Sequence, residues 1–208
     1  MLGGVIIAGG RSTRFGEEDK AVATLAEKPL IRHVADRIEP TIDCLAINCR
    51  EDQCSAIASA MSGYSLPIDY AIDEVPDLGP VAGIAEGMRA LPEEVTHTFV
   101  AACDMPFIDT RIVAYLYDQR EGYDAVVPRL DNGWFQPTHA IYHIDRMTHA
   151  CDAALEDEQF RLLSPLESLA VREVSQEELQ EIGDLSSFEN VNTRSEFEAA
   201  NRKLQSDA

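Results

Sequence analysis

The sequence predicts an α/β fold with a mostly parallel sheet. Short apolar runs alternate with segments whose apolar residues recur at helical spacing, the order that builds βαβ units. The chain has 208 residues, which suits one such domain, expected over residues 1–204 with a polar tail at 205–208. Hydrophobic residues make up 45% of it and are periodic through most of the length, which excludes a disordered chain.

The elements follow in order. Val5–Ala8 is a buried strand running into Gly9 and Gly10. Pro29 opens a helix with Leu30, Ile31, Val34, Ala35 and Ile38 on one face, and Pro40 closes it. Cys44–Asn48 is a second strand, Asp52–Met61 a weaker helix, and Ile68–Ile72 a third strand. Residues 73–83 are rich in Gly and Pro and are expected to be loop, with Ile84–Leu91 helical. Thr98–Ala102 is the most strand-like run. Thr110–Gln119 is a helix, and Asp109 is its expected cap. Ala125–Pro128 and Thr138–Tyr142 are strands, Asp145–Leu155 a helix, Leu169–Val174 a strand and Arg194–Leu204 the last helix.

Ligands of parallel sheets bind beyond the carboxyl ends of the strands. Three chemistry-bearing segments fall there: Gly9–Lys20, Asp73–Gly83, and Asp104. Right-handed connections bring them to one crevice despite their separation in sequence.

The formal net charge is −20, and its distribution is uneven. Residues 1–50 hold seven bases and seven acids, whereas residues 51–208 hold ten bases and thirty acids. So acidic a surface excludes a nonspecific nucleic-acid binder and opposes docking to anionic membranes. An anionic ligand belongs near the neutral first 50 residues. Arg outnumbers Lys fourteen to three, and scarce Lys with surplus acid fits a hydrated surface in concentrated salt, the expectation for a halophilic cytoplasm.

The N-terminus lacks the basic region and the long apolar run of a signal peptide, so the expected location is cytoplasmic. Five cysteines, an odd number, do not suggest a disulfide framework, and the five-residue steps Cys44, Cys49, Cys54 do not match zinc spacing.

The segment Ala8–Lys20 is neither a Walker A loop nor a G-x-G-x-x-G turn. Its glycines still let backbone N–H groups approach phosphate oxygens, and Arg11, Arg14 and Lys20 supply three cations. A glycine turn with solvated bases is the plain alternative. In the second segment Gly79-Pro80 fixes a turn, and a base or ribose there would find Asp73 as a hydrogen-bond acceptor, with an acidic surface loop as the plain alternative. Asp104 follows an apolar strand, and a carboxylate beside phosphates is what Mg²⁺ prefers. His139 is a candidate supporting group or simply a packed residue.

Together these residues resemble the molybdenum cofactor guanylyltransferases, nucleotidyltransferases with a three-layer, Rossmann-like, glycosyltransferase-A-like fold. The likeness lies in Ile7-Ala8-Gly9-Gly10, Arg14-Phe15-Gly16, Asp19-Lys20, Gly79-Pro80-Val81-Ala82-Gly83, Cys103-Asp104-Met105-Pro106-Phe107, Gln136-Pro137-Thr138-His139-Ala140 and Asn190-Val191-Asn192-Thr193. The resemblance implies transfer of GMP from GTP to a molybdopterin-type phosphate, with Mg²⁺ and release of pyrophosphate. It implies that Ala8, Gly9, Gly10, Arg11, Gly16 and Lys20 hold phosphates. Asn48 and Asp73 would contact guanosine, Gly79 would belong to the nucleotide loop, and Asp104 would bind Mg²⁺. Lys20, Arg14 and Asp104 would carry catalysis, and Asn190 and Asn192 would face the pterin. Transient contact with molybdoenzyme maturation proteins is a further implication. Gly9 resembles the guanylyl branch, since the cytidylyl branch has a second alanine there, and a side chain at 9 would crowd the larger purine. A paired-Arg segment of the family survives only as Phe160-Arg161. Another phosphorylated acceptor, CTP as donor, and a non-catalytic nucleotide binder are the competing readings.

Overall fold

A computed structural model describes residues 1–10, 19–73 and 78–206 of the chain. Its sheet is built around β1 (Leu2–Ile7), with β4 (Cys44–Cys49) and β6 (His97–Ala102) parallel on either side. Strand β5 (Ile68–Ile72) continues the parallel half beyond β4. Strand β8 (His139–His143) runs antiparallel to β6, and β7 (Ala125–Arg129) runs antiparallel to β8. Strand β9 (Val171–Ser175) lies parallel to β7 at the far edge. The order is β5-β4-β1-β6-β8-β7-β9, the mostly parallel mixed sheet expected.

The strand sequences explain the three layers. Parallel strands covered on both faces are continuously apolar, and alternate residues serve opposite layers. Ile6, Ile47, Phe99 and Ile141 face α1 (Leu30–Ile38), α2 (Glu51–Ala60) and α4 (Thr110–Asp118) through Ile31, Val34, Ile57, Ile112 and Leu116. Val5, Ala46, Val100 and Tyr142 face α3 (Pro80–Arg89) and α5 (Ile144–Glu156) through Val81, Ile84, Met88, Met147 and Cys151. Asp109 caps α4, its carboxylate accepting from the Arg111 backbone N–H at 2.9 Å, as expected.

Several expectations are corrected. Helix α3 begins at Pro80, not Ile84: Gly79 adopts φ +82° and Pro80 takes the first helical turn, where a missing N–H costs nothing. A small hairpin, β2 (Thr24–Leu25) and β3 (Lys28–Pro29), precedes α1. Its turn puts Ala26 and Glu27 at positive φ, a pairing no turn rule favours, and Asn201 Oδ1 secures the Ala26 N–H at 2.7 Å. Helix α6 (Gln176–Ile182) follows β9 directly. Leu179 is its one buried residue, so it lacks an apolar stripe, and its signal is the Ser175–Glu178 capping box. Helix α7 (Arg194–Ser206) runs two residues past Leu204, into the expected tail, and residues 207–208 lie outside the described range.

Because β1, β4, β5 and β6 are parallel, their carboxyl ends share one edge. Two antiparallel steps through β8 make β7 parallel to β6, so the β7 carboxyl end opens on that edge as well.

Candidate active site

Two side-chain clusters occupy this edge. The first gathers residues from three distant segments. Asp19 caps a helical turn at Lys20–Val22, accepting from the Ala21 N–H at 3.0 Å and from the Gln53 side-chain amide. This turn aims Lys20 inward, where it is 6% exposed. Its Nζ donates to Asp104 Oδ2 at 2.7 Å and to Asn192 Oδ1 at 2.9 Å. Asp104 lies just past β6, and its carbonyl accepts from the Val191 N–H at 2.9 Å, which fastens the Asn-x-Asn-Thr segment beside it. Glu196 accepts from the backbone N–H groups of Asn192 and Thr193 at 2.7 and 2.8 Å and so opens α7 at this point.

Asp104 Oδ1 is buried with no hydrogen-bond partner among the described residues. A carboxylate oxygen shut away from water without a donor is costly, and a cation relieves the cost. No group of three or more His, Cys, Asp or Glu side chains able to hold a metal occurs among the described residues. One carboxylate beside an amide oxygen is the modest donor set that Mg²⁺ uses when substrate phosphates and water complete its shell. The residues therefore fit Mg²⁺.

The second cluster sits at the ends of β4 and β5. Asn48 is buried, and its Nδ2 donates to Asp73 Oδ1 at 2.7 Å and to the Ala71 carbonyl at 3.3 Å. The buried Ala8 donates its N–H to the Asn48 carbonyl at 2.8 Å, so the first loop leaves β1 against this cluster. Two glycines give it room. A Cβ on Gly9 would lie 2.6 Å from Asp73 Oδ2, and one on Gly83 would lie 2.4 Å from Asn48 Oδ1. The expectation that residue 9 makes space for a purine is thereby refined: its first contact is the Asp73 carboxylate.

The sequence motifs did not single out Arg50. Its guanidinium donates to the carbonyls of Gly9 and Gly10 at 3.0 and 3.1 Å and holds the outgoing loop. The only signal in the sequence is a base directly after β4.

Arg11, Arg14 and Gly16 lie outside the described residues. Gly10 is exposed, and Gly79 forms the α3 cap near the Phe160 backbone. The two motif asparagines part company. Asn192 joins Lys20, while the exposed Asn190 donates to the Phe188 carbonyl at 3.3 Å. Lys20, expected as one of three cations for phosphates, is buried and already paired.

His139 is fully buried between the rings of Phe99 and Phe188. Its Nε2 meets Ser187 Oγ at 3.3 Å, and that oxygen accepts from the Asp109 N–H. Burial pulls its pKa down to about 3, so the ring is neutral and serves packing. Desolvation pushes the Cys103 thiol up to about 12, which removes it as a nucleophile near neutral pH.

The MobA-like NTP transferase domain profile matches residues 4–171. The chain is 42% identical over 201 residues to a protein of Natronomonas pharaonis named probable molybdenum cofactor guanylyltransferase, covering 97% of each. A protein of the same name from Haloferax mediterranei is 34% identical over 196 residues, 94% of this chain and 91% of that one. The solved structure of molybdopterin-guanine dinucleotide biosynthesis protein A from Archaeoglobus fulgidus matches with a TM-score of 0.80 at 26% identity, covering 98% of this chain and 99% of the other. With the profile spanning most of the sheet and both clusters on its carboxyl edge, the chain belongs to the MobA-like NTP transferase family, a family of nucleotidyltransferases.

Proposed function

We propose that this chain transfers GMP from GTP to the phosphate of a molybdopterin-type acceptor. The observation that carries it is the pairing of the buried Lys20 with the part-buried Asp104 and with Asn192, leaving one Asp104 oxygen without a partner among the described residues, on one edge with the Asn48–Asp73 cluster. The names of the relatives at 42% and 34% identity support the choice of nucleotide and acceptor.

The reaction forms a bond between an acceptor phosphate oxygen and the α-phosphorus of GTP and breaks the α–β bridge, so pyrophosphate leaves. Both reactants are anions, so neutralisation and positioning are the main demands. Asp104, with Asn192 Oδ1 alongside, would hold Mg²⁺, which would supply positive charge to the phosphate oxygens. Lys20 supplies a second cation at the same place, and its ammonium has three donors to share between Asp104 and a phosphate. Asp19 and Gln53 keep it there. Arg14 is the further cation we assign to the leaving pyrophosphate. Gly9 and Gly10, their carbonyls turned to Arg50, leave their N–H groups as the phosphate donors.

Asp73 is the base reader. A carboxylate accepts from both the ring N–H and the exocyclic amine of guanine, whereas cytosine offers only an amine donor on its pairing edge. Asn48 fixes the carboxylate through Oδ1, and Gly9 leaves Oδ2 in place. The five free cysteines fit a reducing cytoplasm, and no helix among the described residues is long and apolar enough to cross a membrane.

The test offers the protein each nucleoside triphosphate with Mg²⁺ and inorganic pyrophosphatase, with and without molybdopterin. Phosphate release with GTP, dependent on molybdopterin, is expected. Release without acceptor, or equal release from all four nucleotides, contradicts the proposal.

A further inference from the structure

We infer that Trp134 is the surface on which the planar ring system of the acceptor stacks, an inference that rests on the function proposed above. Trp134 is the single tryptophan of the chain, and it is 67% exposed. Lone exposed apolar side chains are ordinary on protein surfaces, so exposure alone points nowhere. Its placement and its support point to a ligand.

The loop at residues 130–138 joins the carboxyl end of β7 to the start of β8 and opens on the edge that carries Asp104. His139, where the loop ends, pairs with Ala101 of β6, three residues before Asp104. On this edge the Asn48–Asp73 cluster occupies the β4–β5 side and the Lys20–Asp104 pair the β1–β6 middle. With the nucleoside on one side and the phosphates in the middle, the β8–β7 side remains for the acceptor.

The loop is held at many points. The Leu130 N–H donates to the Trp134 carbonyl at 3.1 Å, and the Trp134 N–H donates to Asn132 Oδ1 at 3.0 Å. Gly133 makes the turn at φ +82°, and its N–H donates to the Leu130 carbonyl at 2.8 Å. Asp131 and Gln176 exchange two hydrogen bonds, which ties the loop to α6. The next ring, Phe135, lies under the Arg129 guanidinium at 5.1 Å and packs against the core. Successive rings thus part, one to the interior and one to water. The hydrogen-bonded loop holds the backbone that carries the exposed indole, and an exposed indole binds planar heterocycles by stacking. Stacking on a preordered ring loses little conformational entropy.

The single tryptophan makes the test direct. Emission of the intact protein is titrated with molybdopterin, with the stable probe pterin-6-carboxylate, and with GTP alone, corrected with free tryptophan for absorption by the ligand. Saturable quenching by the two pterins and none by GTP is expected. In steady-state assays W134A should raise the KM for molybdopterin about tenfold, the scale of one lost ring stack, with the KM for GTP unchanged. W134F should restore most of the affinity. An unchanged acceptor KM in W134A, or absence of pterin quenching in the wild type, overturns the inference. Failure of wild-type turnover with GTP and molybdopterin instead overturns the function proposed above, and the pterin titration still decides the role of Trp134.

Discussion

Asn48 and Asp73 meet in a cluster whose hydrogen bonds are largely made within the protein, and two glycines leave the space for it. Lys20, Asp104 and Asn192 meet in a cluster that pairs a buried cation with a part-buried carboxylate and leaves one carboxylate oxygen without a donor among the described residues. Both sit at strand carboxyl ends, yet they suit different work. On the function proposed above, the first is a template for recognition, with its hydrogen bonds made before any ligand arrives. The second holds charge that a substrate and a metal ion can redistribute. Selectivity should therefore reside at β4–β5 and rate at β1–β6.

The largest effect that sharpens this contrast is Asp104→Ala. It removes the proposed Mg²⁺ ligand and the partner of Lys20, and turnover should fall by more than about 10³-fold, read by pyrophosphate release. Lys20→Ala should lower kcat by roughly 10²–10³, the scale of one lost contact to transition-state charge. Full activity in either variant breaks the assignment of chemistry to this cluster.

Gly9→Ala acts on the other cluster. A methyl group there displaces the Asp73 carboxylate, so the KM for GTP should rise about tenfold, near the worth of one hydrogen bond to a charged group, with kcat little changed. A drop in kcat without a change in KM would move residue 9 into the chemical step.

His139 lies at the start of β8 beside β6, outside both clusters, and provides the smallest effect. Its pKa is about 3 in the folded chain against about 6.5 when unfolded, so between those values the unfolded state binds more protons. Its contribution to stability is fully present above pH of about 6.5 and is lost as the pH falls toward about 3. Denaturant melts at stepped pH should show a shallower acid loss for His139→Gln than for wild type. Parallel curves would mean that the ring is solvated.

Much of this edge was legible in the sequence, because parallel strands place the residues that follow them at a common crevice. Asp104, Asn48 and Asp73 stand directly at or after apolar runs, and their meeting follows from the topology. Residues whose positions depend on the return of the chain were less legible. Asn192 reaches Lys20 only because the Val191 N–H pairs with the Asp104 carbonyl, a contact between segments 87 residues apart that no local pattern encodes. Arg50 reads as a surface base until the loop carbonyls are seen above it. Helix α6 and the β2–β3 hairpin were missed because neither buries an apolar stripe, so capping and one distant amide decide their form. The negative charge reads differently too. The neutral first 50 residues contain the segment proposed above to face the phosphates, and its lysine is paired with Asp104.

The division between the clusters is tested most directly by the ratio of kcat/KM for GTP to that for CTP in wild type, Asp73→Ala and Lys20→Ala. The account predicts that Asp73→Ala lowers the ratio at least tenfold, a loss of about 1.4 kcal/mol in discrimination, while Lys20→Ala lowers both activities together and keeps the ratio. A ratio unchanged in Asp73→Ala, or one lost in Lys20→Ala, contradicts it.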